Sequence, residues 1–473
     1  MTQSIVVQVG QCGNQIGTRF WDLALREHAK VNHKGLFDEP ISTFFRNVDG
    51  RRSPPRELPL GDGTGKIGAL KARAVLIDME EGVINSLLSG PMREVFDPVL
   101  KVSSVSGSGN NWAVGHYRYG VDYRDQIVET VRRAAEACDC LQSFMVLHSM
   151  GGGTGSGLGT SVLGMLRDEY PEVYRFVTAV FPSADDDVVT SPYNAMLAMN
   201  QLTQHADCVL PVENEALADI CAKIDKGKAL AGRKAARAGS AISDAGGKKP
   251  LPWDAMNNVV AHSLLHLTSG SRFDGALNID VNEITMNLVP FPKLHYLVSS
   301  LTPLYALSDV AVAPRKLDQM FSDAFAPDFQ LTKTSPRHGA FLACALMVRG
   351  DVEISDVRRN IERLRPSLRF VPWNREGWKT GLCATPPLTQ ARSLLTLSNS
   401  TCIGGSFTAI RDRFVKLYRS KAYVHHFTSE GMDPGEFVAA QASCAELIDE
   451  YARLEQQALA ADDEPVPPRL NVV

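Results

Sequence analysis

The chain lacks the features that would place it in a membrane or hold it to nucleic acid. Its 473 residues contain no run of about 18 apolar residues, so no membrane span is predicted. The N-terminus, MTQSIVVQVG, has neither a basic start nor a long apolar stretch, which argues against a signal peptide. The net charge of −4 gives no field that would attract nucleic acid or anionic lipid. We therefore expect a cytoplasmic protein that binds neither nucleic acid nor membrane.

The chain also lacks a disulfide framework. Its nine cysteines are scattered and odd in number, and the one close pair, Cys138 and Cys140, does not have the spacing of a metal site. Free thiols in a reducing compartment fit this usage best. With 44% hydrophobic and 22% charged residues, the composition is that of an ordinary globular protein with two or three domains.

Short apolar runs alternate with helical patterns through the first half of the chain. The predicted strands are 4–10, 72–79, 143–149 and 174–181. The predicted helices are 11–30, 126–137 and 158–170. This alternation predicts an α/β fold with a parallel sheet covered on both faces. In such sheets ligands bind beyond the carboxyl ends of the strands.

Two segments interrupt the alternation, and a second α/β pattern follows them. Residues 49–66 are rich in Pro, Gly and charge, and predict a mobile surface loop. Residues 222–249 carry eight Lys and Arg against two Asp, which is typical of a solvated linker or of a docking arm for an acidic partner. Later, strands are predicted at 340–350 and 393–399, and a helix at 354–364.

These patterns divide the chain into four parts. We predict a first α/β domain at 1–250 that includes both interruptions, a helix and second α/β domain at 251–400, a helical region at 401–460 and a disordered tail at 461–473. In the helical region one apolar stripe recurs at three- and four-residue steps: Phe437, Ala440, Cys444, Leu447, Tyr451 and Leu454. The stripe either packs on the protein's own body or binds a partner.

The segment LHSMGGGTGSGLGT, residues 147–160, has six glycines directly after a predicted strand. A glycine-rich turn between strand and helix bares backbone N–H groups beside the positive helix end, which suits phosphate. The P-loop pattern is absent, because no Lys follows the glycines, and GTGKI at 63–67 lacks the hydroxyl residue and the upstream Gly. The dinucleotide pattern G-x-G-x-x-G fails in every frame, since its last position is Ser156, Leu158 or Thr160. A nicotinamide-dependent oxidoreductase is therefore disfavoured, and a phosphate cradle of another kind is predicted.

This segment and several others resemble the tubulin family. The motif GGGTGSG at 151–157 matches the tubulin signature, and the further matching stretches are VGQCGNQIG (9–17), GNNWAVGH (109–116), CDCLQ (138–142), SPYNA (191–195), NEAL (214–217), NLVPFPKLHY (287–296) and KAYVHHFTSEGMD (421–433). They cover nearly the whole chain in the family's order. The resemblance implies a parallel-sheet nucleotide-binding domain, a long core helix, a second α/β domain and a C-terminal helical layer. It also implies GTP or GDP as the bound nucleotide.

The resemblance assigns roles to residues by position. Those that would approach the phosphates are Gly10, Gln11, Cys12, Asn110, Ser149, Gly151, Gly152, Gly153, Thr154 and Gly155. Asp78 and Glu80 would face the γ-phosphate and a hydrated Mg²⁺, since two carboxylates beside a triphosphate need a cation. Gln15, Asn214 and Asn257 would read guanine, because amides both donate and accept hydrogen bonds along a purine edge.

In tubulins an acidic loop of one subunit completes the nucleotide pocket of the next. The matching stretch here is RFDGALNIDVNEITMN, residues 272–287, and its DVNE resembles the alpha-tubulin form. The resemblance therefore implies that Glu283, with Asp280 beside it, orients the water that attacks a neighbour's GTP. Other tubulins, in end-to-end contact, are the expected partners.

The chain departs from the lattice-forming tubulins at several positions. Ala218 stands where a Tyr stacks on guanine, and Ser191 stands where a Glu approaches the ribose, with DDDV at 185–188 nearby. The segment 305–321 is short for a lateral-contact loop, the insertion lies where end-to-end contacts form, and the tail lacks a run of Glu. These departures resemble the specialised tubulins of centrioles and basal bodies, with centriolar proteins as further partners. Two hypotheses stay open: a GTPase activated by another tubulin, or a non-hydrolysing GTP-bound scaffold.

Overall fold

The computed structural model describes residues 2–51, 56–61, 65–183, 186–224, 253–304, 316–388 and 390–462. Most of the basic insertion predicted at 222–249, nearly all of the tail predicted at 461–473 and the first part of the segment 305–321 lie outside these residues.

A six-stranded parallel sheet forms the centre of the N-terminal half. Its strands are β1 (Gln3–Val9), β5 (Ala74–Asp78), β6 (Lys101–Ser103), β7 (Leu141–Ser149), β8 (Tyr174–Phe181) and β9 (Cys208–Glu213), in the order β6-β5-β1-β7-β8-β9. Every ladder in it is parallel, as predicted. All seven residues of β1 and all five of β5 are buried, which explains why these strands read as continuous apolar runs.

Helices cover both faces of this sheet. They are α1 (Gly10–Val31), α2 (Glu39–Ser42), α3 (Glu81–Ser89), α4 (Gly120–Asp122), α5 (Arg124–Glu136), α6 (Gly159–Glu169), α7 (Ser191–His205) and the helical segment α8 (214–224). Two π-helical stretches, Val114–Tyr119 and Thr154–Leu158, lead into α4 and α6. The predicted helices at 11–30, 126–137 and 158–170 are confirmed within two residues at each end.

A small antiparallel sheet lies outside the main one and was not predicted. It pairs β2 (Phe45–Asp49) with β3 (Arg56–Leu58) and β4 (Ala69–Ala72). The predicted loop 49–66 is therefore not loop throughout. The strand predicted at 72–79 is divided at Arg73, because β4 of the small sheet ends at Ala72 and β5 of the main sheet begins at Ala74. The guanidinium of Arg73 donates to the carbonyls of Ser42 and Ala137 at this change of sheet.

The second domain contains a mixed sheet. It comprises β10 (Val298–Thr302), β11 (Ala340–Gly350), β12 (Arg369–Phe370), β13 (Trp378–Cys383) and β14 (Arg392–Ser400). β14 runs antiparallel to β10 and β11, whereas β12 and β13 run parallel to β11. The helices of this half are α9 (Asp254–Leu267), α10 (Ser269–Arg272), α11 (Val281–Leu288), α12 (Leu317–Ala324) and α13 (Ile354–Leu364). The α/β prediction for this region is confirmed.

The C-terminal layer contains α14 (Gly404–Tyr418), α15 (Val424–Thr428) and α16 (Gly435–Asp462). The predicted apolar stripe of α16 faces inward. Phe437, Ala440 and Tyr451 are at most 1% exposed, and they share one core cluster with α7 and α14. Of the two interpretations, the stripe therefore packs on the protein's own body. No helix in the described ranges is long and apolar enough to cross a bilayer.

A buried ion network joins the two domains. Both carboxylate oxygens of Glu27, on α1, are engaged: Oε2 by Arg272 at 2.7 Å and Oε1 by Arg349 of β11 at 2.8 Å. Both arginine side chains are fully buried, and the Glu27 side chain is 3% exposed. Burial alone would raise the pKa of Glu27, but the two guanidinium groups lower it to about 2. The helix that begins at the phosphate cradle is thus fixed at its other end to the second domain.

Candidate functional site

Two helix beginnings meet at the carboxyl ends of neighbouring parallel strands. α1 starts at Gly10 directly after β1, and the Thr154–Leu158 stretch starts after β7. A Cβ on Gly10 would lie 3.1 Å from the amide nitrogen of Gly155, so the two turns are in close contact. Neither start carries a side-chain cap. Because the first N–H groups of a helix have no intrahelical acceptor, this junction presents donors and positive dipole ends to one point.

The glycines of the cradle are required for different reasons. Gly10 has a φ of +72°, which only glycine adopts without strain. A Cβ on Gly155 would meet the Oγ and carbonyl oxygen of Ser149 at 2.7 and 2.8 Å, so this position is closed by packing. A Cβ on Gly152 would meet only the Oδ1 of Asn110, at 3.7 Å, so this position opens onto free space. The predicted cradle residues 151–155, with Ser149, Gly10, Gln11 and Cys12 beside them, are therefore brought together.

Two further loops close around the cradle. Asn110 has a φ of +56°, which is uncommon for a residue with a side chain, and Ser108 bonds to Thr154 through their hydroxyl groups at 2.8 Å. Ser191 donates to Asp186 at 3.0 Å, and a Cβ on Gly151 would lie 3.0 Å from the same carboxylate. Among the described residues of the DDDV segment, which begin at Asp186, Asp186 is the carboxylate that reaches the cradle. The sequence alone did not distinguish it from its neighbours.

The residue that ties the cradle loops together was missed by the sequence interpretation. Asn194, on α7, is fully buried. Its amide nitrogen donates to the carbonyls of Asn110 and Gly151, each at 2.8 Å, and its Oδ1 accepts from the backbone N–H of Trp112 at 3.0 Å. The SPYNA match was the only sequence signal that pointed to this position.

The predicted cation residues lie at the end of β5. Asp78 is 3% exposed, and its Oδ1 accepts from the backbone N–H of Glu80 at 3.3 Å. Burial raises the pKa of Asp78 to about 6, with the charge of Glu80 acting in the same direction. A hydrated Mg²⁺ fits these residues, because a cation would relieve the cost of a buried carboxylate. Over the described ranges no three His, Cys, Asp or Glu side chains form a metal cluster, so nucleotide oxygens and water would supply the remaining ligands.

The predicted guanine-reading amides are all half-buried. Gln15 and Asn257 lie on α1 and α9, which pack together: Arg19 donates to Asn258 at 2.9 Å, one turn beyond Gln15. Asn214 begins α8, directly after the carboxyl end of β9. Ala218, one turn further on α8, is exposed and offers no ring to a base. The guanine-reading role of the three amides stays a prediction.

Asp280 and Glu283 lie on the opposite edge of the sheet. Asp280 caps α11, because its Oδ1 accepts from the backbone N–H of Glu283 at 2.7 Å. The same helix, through Thr285 and Met286, lines a cleft of about 930 Å³ with Tyr174, the first residue of β8. The cradle follows the last residue of β7, so about six residues of strand, or about 20 Å, separate the two edges. Within one subunit Glu283 is therefore remote from the cradle.

Exposed apolar side chains occur on the helix of Glu283 and in two other segments of the second half of the chain. Glu283 is 46% exposed and lies 3.6 Å from Lys379. Met286, three residues on, is 72% exposed. Phe291 and Trp373 are about half exposed and pack edge to face, with ring centroids 5.7 Å apart. Exposed aromatic residues of this kind are enriched at the centres of protein interfaces.

The fold is that of an α/β protein in which backbone amides, rather than a P-loop lysine, lie where a phosphate would bind. The comparisons with known proteins make this more specific. Residues 3–222 match the model of the tubulin/FtsZ family GTPase domain, and residues 292–412 match that of the tubulin C-terminal domain.

The chain belongs to the tubulin family. It is 58% identical to the tubulin epsilon chains of Mus musculus and Homo sapiens, over the full length of this chain and of each relative. It is 34% identical to the tubulin beta-1 chain of Colletotrichum graminicola, over 98% of this chain and 97% of that one. The chain is therefore a tubulin-superfamily protein with a GTP-binding domain, as its motifs predicted.

Proposed function

We propose that this protein is a GTP-binding tubulin of centrioles and basal bodies, which supports the organisation of centrioles and specialised microtubules. The meeting of two uncapped helix starts at Gly10 and Gly155, beside the buried Asp78, carries the nucleotide part of this proposal. The likeness to tubulin epsilon chains supports the centriolar part. The protein would act at the cytoskeleton and centrosome, with centriolar proteins and other tubulins as partners.

In this proposal the protein's own residues bind the nucleotide, and a second subunit completes the reaction. The amides of 151–155 and of the first turn of α1 hold the β- and γ-phosphates of GTP. Asp78 and Glu80 would hold a hydrated Mg²⁺, which would neutralise phosphate charge when bound. Asn214, Asn257 and Gln15 orient the guanine.

Hydrolysis needs a water placed in line with the γ-phosphate, and the acidic loop of a neighbouring tubulin would supply the group that places it. By the same arrangement, Glu283 of this chain acts on the GTP of its own neighbour. Its carboxylate accepts a hydrogen bond from the water and takes the proton as the water oxygen bonds to the γ-phosphorus; the bond from that phosphorus to the β,γ-bridging oxygen breaks, which releases GDP and inorganic phosphate. Asp280 acts indirectly, because it caps the helix that carries Glu283. The helix of Glu283 lies at the edge of the sheet opposite the cradle, about 20 Å of strand away, which supports a reaction across subunits rather than within one.

The test is Glu283→Ala, compared with Glu362→Ala, an exposed glutamate on α13. Both variants should bind a fluorescent GTP analogue as the parent does. Turnover in the presence of a second tubulin should fall about 100-fold or more for Glu283→Ala alone, the usual contribution of a positioned carboxylate. Equal turnover in the two variants would show that Glu283 has no such role.

A non-hydrolysing scaffold is the second candidate, and the exposed Ala218 favours it. Without an aromatic ring against the base, nucleotide exchange is less restrained, and GTP would act as a structural cofactor. In that case the parent protein retains nucleotide but shows no turnover with or without another tubulin. Centriolar proteins would then bind its C-terminal helical face and the basic insertion.

A further inference from the structure

The side chain of Asn194 bonds to the two cradle loops through both of its N–H donors and through its oxygen. A side-chain amide offers two N–H donors and an acceptor oxygen. Both donors are used, on the carbonyls of Asn110 and Gly151, and the oxygen accepts from Trp112. The residue is fully buried, so water does not substitute for any of these bonds.

These bonds join two segments that are also linked by the hydroxyl groups of Ser108 and Thr154, so Asn194 adds two carbonyl contacts that this pair does not supply. Asn110 is 84 residues from Asn194 and Gly151 is 43 residues from it, and they follow different strands of the sheet. Asn110 has a φ of +56°, in the left-handed region that Asn adopts more readily than most residues with a side chain. Thr190 adds a weaker bond from its hydroxyl to the same Asn110 carbonyl, at 3.1 Å.

We infer that Asn194 is a positioning residue for the nucleotide phosphates: it fixes the loop at 109–112 against the loop at 150–155, and so sets where their amides point. The inference rests on the proposed GTP site. Asn194 does not touch the nucleotide itself, since its polar atoms are occupied by the two loops. Loss of its donors releases both carbonyls, and the amides of the two loops then no longer converge on one triphosphate.

Substitution of Asn194 by Asp removes the two N–H donors and keeps the acceptor oxygen. Asn194→Asp keeps the oxygen that accepts from Trp112 but turns a carboxylate toward the carbonyls of Asn110 and Gly151. Repulsion between these oxygens opens the loops, and burial raises the pKa of the new carboxyl. Its protonated form has one O–H donor and so restores one of the two lost bonds. Asn194→Leu removes all three bonds without adding charge, and therefore separates loss of positioning from repulsion of the nucleotide.

The experiment measures affinity for a fluorescent GTP analogue, with Mg²⁺ present, by titration between pH 7.5 and 5.5. The matched control is Asn200→Asp, on the same helix, where the side chain is partly exposed and only accepts a bond from Gln204. Asn194→Asp and Asn194→Leu should each bind at least tenfold more weakly than the parent at pH 7.5. Relative to the parent, the Asp variant should recover affinity toward pH 5.5, whereas the Leu variant should not. Asn200→Asp should bind as the parent does at every pH.

Amide hydrogen exchange of the nucleotide-free proteins gives the second readout. Asn194→Asp should exchange faster at 109–112 and 150–155 but not in β1. Thr190→Val, at a partly exposed position without a capping bond, should weaken GTP binding two- to threefold and serves if Asn194 variants fail to fold. Parental GTP affinity in the folded Asn194 variants, or in Thr190→Val if those do not fold, overturns the inference. If the parent itself does not bind GTP, the proposed function fails. Faster amide exchange of Asn194→Asp at 109–112 and 150–155 would still show that Asn194 holds the two loops in place.

Discussion

The buried network around Glu27 gives the most quantitative prediction of the structure. Glu27→Gln keeps the size of the side chain but leaves Arg272 and Arg349 without a counter-charge inside the protein. The pKa of Glu27 is lowered from 4.5 to about 2, a shift equivalent to about 3 kcal/mol of stabilisation of the charged form. Breaking one partner out of a buried ion pair costs a similar amount, about 3–5 kcal/mol. We therefore expect Glu27→Gln to lower the free energy of unfolding by about 3 kcal/mol at pH 7.

The assay is urea unfolding followed by circular dichroism, with Glu129→Gln as the matched control. Glu129 also contacts two arginines, Arg132 and Arg133, but on the surface of α5, so its replacement should change stability little. The pH dependence follows from the sign of the shift. Because the pKa of Glu27 is lowered in the fold, its contribution is complete above pH 4.5 and is lost as the pH falls from 4.5 toward 2. The difference between parent and variant should be constant from pH 8 to 5 and shrink below 4.5.

The reasoning is refuted if Glu27→Gln destabilises the protein no more than Glu129→Gln does. It is also refuted if the difference between parent and Glu27→Gln grows as the pH is lowered below 4.5.

Three further predictions concern the cradle, the base and the partner surface. Gly155→Ala should destabilise the fold, because its Cβ would meet Ser149 atoms at 2.7–3.0 Å. Gly152→Ala should have the same stability as the parent but should weaken GTP binding, because its Cβ narrows the open side of the cradle. Thermal unfolding and nucleotide titration of both variants check this, and equal GTP affinity in Gly152→Ala would contradict it. Ala218→Tyr should tighten GTP binding about tenfold, since stacking on a base is worth about 1–3 kcal/mol; unchanged affinity by titration would show that the base lies elsewhere. Trp373→Ala should leave GTP affinity intact but weaken association with a second tubulin by about 2 kcal/mol, measured by sedimentation, and unchanged association would exclude this surface.

A strand or helix could be predicted from its local sequence pattern where its residues share one environment along the whole length. The apolar run of β8 is buried along nearly all of its length, and the helix α13 is bounded by Glu353 and by Pro366 beyond it, so both matched their predicted residues. β9 was missed because Pro211 interrupts its apolar run. Pro211 is tolerated there because β9 is the edge strand of the sheet. β10 was missed because VSSLT is too polar to read as buried, although all five residues are buried in the structure.

Some residues of the candidate site could likewise be predicted from the sequence, and others could not. The glycine cradle follows directly from a strand-to-turn pattern, since a parallel sheet brings the ends of its strands to one edge, whereas the role of Asp78 was implied by the resemblance to tubulins. Asn194 could not be found from spacing, because its partners are 43 and 84 residues away and a buried Asn leaves no distinct sequence signal. The place of Asp186 beside the cradle likewise depends on contact with Gly151 across the fold, which spacing does not predict.

The central claim is that the amides after β7 and at the start of α1 hold a guanosine phosphate. The most direct measurement is to denature the purified protein and identify the released nucleotide by chromatography. The account predicts GTP or GDP at close to one per chain, and loss of this nucleotide in Asn194→Leu but not in Asn200→Asp. Release of no guanine nucleotide, together with no change in thermal unfolding on adding GTP and Mg²⁺, would contradict it.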